Sequence, residues 1–135
     1  MIAHEVKVRV RYAETDKMGY VYYGNYATYF EVARVETFRA MGMSYKSMEE
    51  QGVMMPVLEF KTKYIKPAFY DDELTLKIEI REKPGVRITF FYEVYNEKNT
   101  LLTIAETTLA FIDGTTYRPC LPPTDFQEIL NRSFS

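Results

Sequence analysis

The chain has 135 residues, a length that predicts one domain. Its net charge is −2, so electrostatic attraction gives no reason to expect a nucleic-acid partner. Its one cysteine excludes an internal disulfide framework. No secretory-type apolar segment follows Met1, and no apolar run is near 18 residues long, so we predict a cytoplasmic protein with no membrane span.

The first predicted element is a strand over residues 4–12. Apolar and basic residues alternate there with the two-residue period of a half-buried strand. The residues predicted to face the core are Val6, Val8, Val10 and Tyr12.

The strongest helical pattern in the chain follows, over residues 26–41. Apolar and aromatic residues recur there at the three- and four-residue spacing of an amphipathic helix. Gly42 is predicted to end this helix, and Gly24 or Asn25 is predicted to cap its start.

A short helix over residues 44–52 comes next, and the pattern then changes to the period of strands. Short turns separate four predicted strands, so these should pair as an antiparallel hairpin meander. The strands cover residues 58–64, 74–81, 86–94 and 101–112. A tail covers residues 118–135, in which 125–130 are predicted to add a helical turn or two.

Together these elements predict an α+β fold for one domain spanning residues 1–135. A five-stranded antiparallel sheet needs one face covered. The helix over residues 26–41 is the only predicted element large enough to cover it. We therefore expect a sheet that wraps around one long central helix.

Several common catalytic sets are absent from the sequence. His4 is the only histidine, which excludes a Ser-His-Asp or Cys-His arrangement within one chain and argues against a His/Cys metal site. Neither GxGxxG nor GxxxxGK[ST] occurs. Any catalysis is therefore expected to use carboxylates, tyrosines, backbone groups and water, with no metal or other cofactor.

Asp16 is the best candidate for a catalytic residue. It lies in the predicted loop between the first strand and the N-terminal end of the helix. A helix N-terminus carries unpaired N–H groups and a partial positive charge, which stabilise an oxyanion. A carboxylate facing that end could activate water or attack a carbonyl directly, which suffices to hydrolyse an activated acyl group such as a thioester. The alternative is that Asp16 only shapes its loop.

The other charged candidates lie at predicted turns. Asp71 and Asp72 precede a strand and are interpreted as turn residues. Lys83 and Arg87 flank a turn, where they could contact phosphates of a substrate or remain solvated.

Three segments of the sequence together resemble a known signature. They are residues 12–16 (YAETD), 18–26 (MGYVYYGNY) and 30–34 (FEVAR). Their order and spacing are similar to those of the hotdog-fold acyl-CoA thioesterases, in particular the 4-hydroxybenzoyl-CoA thioesterase-like and Tol-Pal-associated groups. The resemblance continues to about Pro122.

This resemblance implies an assembly and a set of site residues. The implied assembly is a homodimer whose sheets join edge to edge, often paired into a homotetramer, with active sites between subunits. Asp16 matches the catalytic carboxylate, and Tyr23 matches the residue whose backbone N–H holds the thioester carbonyl. Asn25 and Tyr26 match the motif that opens the helix, and with Gly24 they are predicted to contact the substrate.

One position departs from the pattern. Many Tol-Pal-type relatives carry histidine where this chain has Tyr23. A backbone N–H role survives that change. A proton-transfer role for the side chain does not, because a phenol with a pKa of about 10 is a poor base near neutral pH.

The leading hypothesis from the sequence is an acyl-CoA thioesterase. A second hypothesis replaces the carrier by acyl carrier protein, which a basic patch at Lys61, Lys63 and Lys66 could receive. A variant places the catalytic carboxylate at Glu31, although Arg34 three residues later favours a solvated or interface face of the helix. A further hypothesis is that the protein is not an enzyme but a hotdog dimer that binds acyl-CoA without hydrolysing it.

Overall fold

The computed structural model describes residues 1–134, and the last residue of the predicted tail, Ser135, lies outside them. A short 3-10 turn, Tyr12–Glu14, follows the first strand. In chain order the elements are β1 (Ile2–Arg9), α1 (Asn25–Ala40), α2 (Tyr45–Glu50), β2 (Val53–Met54), β3 (Val57–Tyr64), β4 (Glu73–Ile80), β5 (Arg87–Tyr95), β6 (Leu101–Ala110), β7 (Ile112–Asp113) and α3 (Thr124–Ser133).

Five strands form one antiparallel sheet in the order β1-β4-β5-β6-β3. The α+β class and the five-stranded antiparallel sheet are therefore confirmed. The predicted meander is confirmed for β4, β5 and β6, which pair in chain order. It is wrong for β3, which pairs with β6 and not with β4, while β4 pairs with β1. The segment between β3 and β4 does not turn tightly. It crosses the end of the sheet, where Asp72 accepts a hydrogen bond from the Val10 N–H and Asp71 donates one to the Val10 carbonyl, both at 2.9 Å.

The core lies between α1 and one face of the sheet. Phe30 of α1 packs its ring 4.3 Å from Tyr92 of β5 and 5.8 Å from Phe60 of β3, measured between ring centroids. Burial of this apolar surface is the main source of stability. The buried residues of β4 and β5 are Leu74, Leu76, Ile78, Ile80, Ile88, Phe90, Tyr92 and Val94.

Arg34 of α1 is buried, so the predicted solvated or interface face holds for the exposed Glu31 but not for Arg34. Its Nε donates to the Tyr45 hydroxyl at 3.1 Å, and its Nη1 donates to the Tyr92 hydroxyl at 3.0 Å. Tyr92 is in turn hydrogen-bonded to Thr107 at 2.6 Å. A buried cation needs such partners, and two phenols supply them from other elements.

The largest differences from the predicted strand ends are in β1 and in the last predicted strand. β1 ends at Arg9, so Tyr12 belongs to the 3-10 turn and is 76% exposed instead of facing the core. The predicted last strand is divided in two. β6 ends at Ala110, and β7 pairs with β2 in a separate two-stranded sheet.

The C-terminal segment is a ten-residue helix, α3, rather than a helical turn or two. Phe126 and Leu130 are buried, and the Phe126 ring lies 5.0 Å from that of Phe38 in α1. The helix therefore packs on the core, a contact that the prediction for the tail did not include. Within residues 1–134 no helix combines the length and apolar character needed to cross a membrane.

Candidate active site

A cleft of about 330 Å³ opens where the N-terminal end of α1 meets the end of β3. Most of its lining is apolar or aromatic, and it includes one carboxylate, Asp16, and one cation, Lys66. The structure brings three of the predicted site residues, Asp16, Tyr23 and Tyr26, together here. The tyrosines that line the cleft are Tyr20, Tyr23, Tyr26 and Tyr64.

Asp16 lies in a tight turn that fixes its carboxylate. The Asp16 N–H donates to the Tyr20 carbonyl, and the Gly19 N–H donates to the Asp16 carbonyl, both at 3.0 Å. Gly19 has a φ of +84°, which glycine adopts at little cost. Asp16 Oδ1 accepts the Met18 N–H at 2.8 Å, while Oδ2 has no partner among residues 1–134. One oxygen therefore shapes the turn, and the other remains able to accept a proton.

The start of α1 presents two unpaired N–H groups. Gly24 is the N-cap, and no side chain caps the helix. The Asn25 N–H donates to the Tyr22 carbonyl at 2.9 Å, and the Tyr26 N–H donates to the Tyr23 carbonyl at 3.3 Å. The N–H groups of Tyr23 and Gly24 have no acceptor in the described part of the chain. Unpaired N–H groups at the positive end of a helix bind and stabilise anions.

The Tyr23 side chain is exposed and packs against its neighbour. The Tyr22 and Tyr23 ring centroids are 4.8 Å apart. A Cβ atom at Gly24 would lie 2.7 Å from the Tyr22 ring, so glycine at this position leaves the ring pair undisturbed. The Tyr64 hydroxyl approaches the Tyr23 carbonyl at 3.4 Å, a long hydrogen bond from β3 to the helix start.

Glu14 connects the Asp16 loop to α1, although the signature segment that contains it, residues 12–16, assigns it no role. It is only 7% exposed. Its Oε1 accepts the Arg11 N–H at 2.9 Å and the Tyr29 hydroxyl at 2.8 Å, and its Oε2 accepts Arg11 Nε at 3.0 Å and Nη2 at 2.8 Å. Burial raises the pKa of Glu14, but the hydrogen bonds from Arg11 and Tyr29 outweigh it and hold the pKa below its ordinary value of 4.5.

Replacing Glu14 by Gln is expected to destabilise the protein at neutral pH and less so in acid. Because the pKa is lower in the folded state, the ionised carboxylate stabilises the fold above pH 4.5, and this contribution is lost as the pH falls through the folded-state pKa. Urea unfolding across the acid range measures the difference between wild type and Glu14→Gln. The exposed Glu5→Gln is the control, and a Glu14→Gln difference independent of pH would contradict the expectation.

The structure does not bring Lys83 and Arg87 to the cleft of the same chain. Arg87 pairs with Ala110 of β6, whereas the cleft residue Tyr64 pairs with Thr103 of β6. Seven residues separate these positions on β6, which corresponds to about 23 Å.

Two cleft residues, Tyr64 and Lys66, belong to no catalytic motif. Tyr64 lies at the end of the edge strand β3 and is half-exposed. Lys66 lines the cleft and has no acidic partner within 4 Å among residues 1–134. Lys61 instead forms an ion pair with Glu59 at 2.7 Å on the other face of β3, so the predicted basic patch is divided.

The remaining carboxylates lie outside the cleft. Asp72 Oδ2 accepts the Phe69 N–H at 2.9 Å, and Asp71 has a φ of +69°, as the turn interpretation predicts. Glu31 is exposed on α1 and does not line the cleft.

Residues 10–130 match the model of the thioesterase-like superfamily, and the chain belongs to that superfamily. It is 33% identical over 112 residues to the acyl-CoA thioester hydrolase YbgC of Escherichia coli, with 83% of this chain and 84% of the relative covered. It is 31% identical over 134 residues to the acyl-CoA thioesterase YbgC of Helicobacter pylori, with 93% and 98% covered.

The fold is also similar to a solved structure, that of a DHNA-CoA thioesterase from Staphylococcus aureus. The TM-score is 0.93 and the sequence identity 38%, with 98% of this chain and 91% of that chain covered. The resemblance carried by the three sequence segments is thereby confirmed.

Proposed function

We propose that this protein hydrolyses acyl-CoA thioesters to a free acid and coenzyme A, with Asp16 as base or nucleophile and the start of α1 as the oxyanion site. The observation that carries the proposal is that Asp16 and Tyr23 line one cleft: Asp16 has a carboxylate oxygen without a partner among residues 1–134, and Tyr23 lies at the helix start with an unpaired N–H group. Membership of the thioesterase-like superfamily and the names of the three relatives support the reaction class. The protein is a thioester hydrolase.

The proposed reaction uses these groups in sequence. The thioester carbonyl oxygen accepts hydrogen bonds from the Tyr23 and Gly24 N–H groups, which stabilise the negative charge that develops on it. Asp16 Oδ2 takes a proton from a water molecule as that water attacks the carbonyl carbon. The carbon–sulfur bond then breaks, and the coenzyme A thiolate leaves and is protonated. In the alternative route Asp16 attacks the carbonyl, displaces the thiolate and forms an anhydride that water hydrolyses.

We further propose an aromatic acyl group. The cleft is lined by tyrosine rings together with Met18, Ile65 and Pro67, and such a surface favours a flat apolar group. The name of the S. aureus structure, a DHNA-CoA thioesterase, also supports an aromatic acyl group.

Release of free thiol from a panel of acyl-CoAs tests the function. We expect turnover of aromatic acyl-CoAs with a kcat/KM about tenfold or more above that of aliphatic chains of similar size, the effect of 1–2 kcal/mol of selective packing. To identify the carrier, turnover of one acyl group is compared between its coenzyme A thioester and its acyl carrier protein thioester. Turnover of only the carrier-protein thioester would contradict the assignment to coenzyme A, and binding without any turnover would favour a non-catalytic binding module.

We infer a homodimer formed through the β3 edge. Val57, Leu58, Phe60 and Tyr64 are between 40% and 50% exposed, and a long apolar edge strand is a site for pairing with another chain. Antiparallel pairing of two β3 strands would join the sheets into one of ten strands and place each cleft beside the second copy. We also propose that residues 1–135 are one domain of the hotdog type. A tetramer and a cytoplasmic location stay predictions.

This dimer also gives a role to Lys83 and Arg87. A two-fold axis that makes β3 antiparallel to itself brings the Val57 end of one copy toward the Tyr64 end of the other. The turn that contains Lys83 lies on the Val57 side of the sheet, because Arg87 pairs with Ala110 there. We propose that this turn of the second copy and Lys66 of the first contact the coenzyme A phosphates.

A further inference from the structure

We propose that Glu14 is a positioning residue, which holds the Asp16 turn and the first turn of α1 in a fixed relation. It does not touch the substrate. It acts through Asp16 and through the N–H groups of Tyr23 and Gly24. The proposal rests on the proposed function, since the relative position of the Asp16 carboxylate and those N–H groups affects the reaction only if both act on the substrate.

The Glu14 carbonyl holds both sides of the oxyanion site. It accepts the Tyr22 N–H at 2.9 Å and the Asn25 side-chain Nδ2 at 3.0 Å. Tyr22 and Asn25 flank Tyr23 and Gly24 in the chain, so the two unpaired N–H groups lie between two anchors on one oxygen. A shift of Glu14 would therefore move them.

The Glu14 carboxylate provides two further contacts that hold Glu14 in place. The Arg11 guanidinium and backbone N–H hold it from the loop side, and the Tyr29 hydroxyl holds it from α1, one turn beyond Asn25. Tyr29 and Glu14 are both buried, and hydrogen bonds to an ionised carboxylate are shorter and stronger than neutral ones. Glu14 is thus tied to α1 at two successive turns.

The path from Glu14 to Asp16 is short and constrained. Only Thr15 separates them, and Thr15 forms an isolated antiparallel bridge with Val21. The Asp16 N–H is held by the Tyr20 carbonyl. A displacement of Glu14 relative to α1 would therefore be passed to the Asp16 carboxylate, and a misplacement of about 1 Å can cost about 100-fold in rate.

Tyr29→Phe tests this role, because it removes only the hydroxyl that ties Glu14 to the second turn of α1. We expect kcat to fall about tenfold with KM changed less than about twofold, as for a loss of alignment after binding. The matched control is Tyr92→Phe, which removes another buried hydroxyl bonded to a charged group, Arg34, outside the cleft. We expect it to lower the melting temperature by a similar amount and to keep the wild-type kcat.

A purely structural role predicts a different result. If Tyr29→Phe leaves kcat unchanged, or if both variants lower kcat equally, the positioning role is overturned. Glu14→Gln provides a second variant that keeps the shape of the side chain and removes its charge, and it should lower kcat in the same way. Unchanged kcat in Glu14→Gln would count against the proposal.

Asp16→Asn separates this proposal from the proposed function. The double variant with Tyr29→Phe should lose less than the product of the two single losses, because the two residues act through one step. Full activity in Asp16→Asn would overturn the proposed site itself. Loss of activity in Asp16→Asn together with normal kcat in Tyr29→Phe would overturn only the positioning role.

Discussion

Replacing Asp16 by Asn is expected to lower kcat for acyl-CoA hydrolysis by about 10³-fold, within the range that loss of a general base costs. Asparagine keeps the Oδ1 that accepts the Met18 N–H, so the turn should be preserved. The unpaired N–H groups of Tyr23 and Gly24 are untouched, so KM should change little. Thiol release at saturating substrate measures kcat, and thermal unfolding checks the fold.

The matched control for this variant is Asp113→Asn. Asp113 also shapes a turn, since its Oδ1 accepts the Thr115 N–H at 2.8 Å and the Thr116 N–H at 3.1 Å, and it does not line the cleft. We expect it to keep the wild-type kcat. Full activity in Asp16→Asn would contradict the assigned role, and loss of activity in Glu31→Gln instead would move the catalytic carboxylate to α1.

Replacing Leu58 by Lys is expected to convert the proposed dimer to monomers at working concentration. Leu58 lies at the bulge of the β3 edge and is half-exposed in the single chain. A charge buried at an interface hot spot costs about 2 kcal/mol or more, and a two-fold interface contains the substitution twice, so Kd should rise on the order of 10³-fold. Sedimentation velocity over a concentration series measures this change.

The control is Ile104→Lys, which introduces the same charge on the outer face of β6, away from the sheet edge. It is expected to leave the β3 pairing intact. If the cleft is completed by the second copy, the activity per chain of Leu58→Lys should fall on dilution and recover at high protein concentration. A wild-type monomer with full activity per chain would contradict the edge-paired site.

Local elements are well determined by the sequence, because the groups that form them are close neighbours in the chain. The Ser44 hydroxyl accepts the Ser47 N–H at 3.0 Å at the start of α2, and Gly42 has the positive φ predicted for a helix end. The Asp16 turn followed by a helix start is equally local. The turn, the helix and their order in the chain could all be inferred from spacing.

Pairing between distant segments could not be inferred in this way. The alternation in β3 predicts a strand but is compatible with either β4 or β6 as its neighbour, and the crossing segment after Pro67 decides for β6. The same decision leaves β3 at the edge. Tyr64 is therefore half-exposed and lines the cleft, and Arg87 lies far from the cleft of its own chain.

The sequence by itself therefore determined the elements of this protein, the loop that carries Asp16 and the helix start that follows it. Only the tertiary structure decided which side chains from different elements contact one another. Arg34 is buried because Tyr45 and Tyr92 reach it from other elements, and Glu14 is buried because Arg11 and Tyr29 surround it. A periodic pattern reports how one element is oriented, whereas the burial of a charge depends on hydrogen-bonding partners that only folding brings within reach.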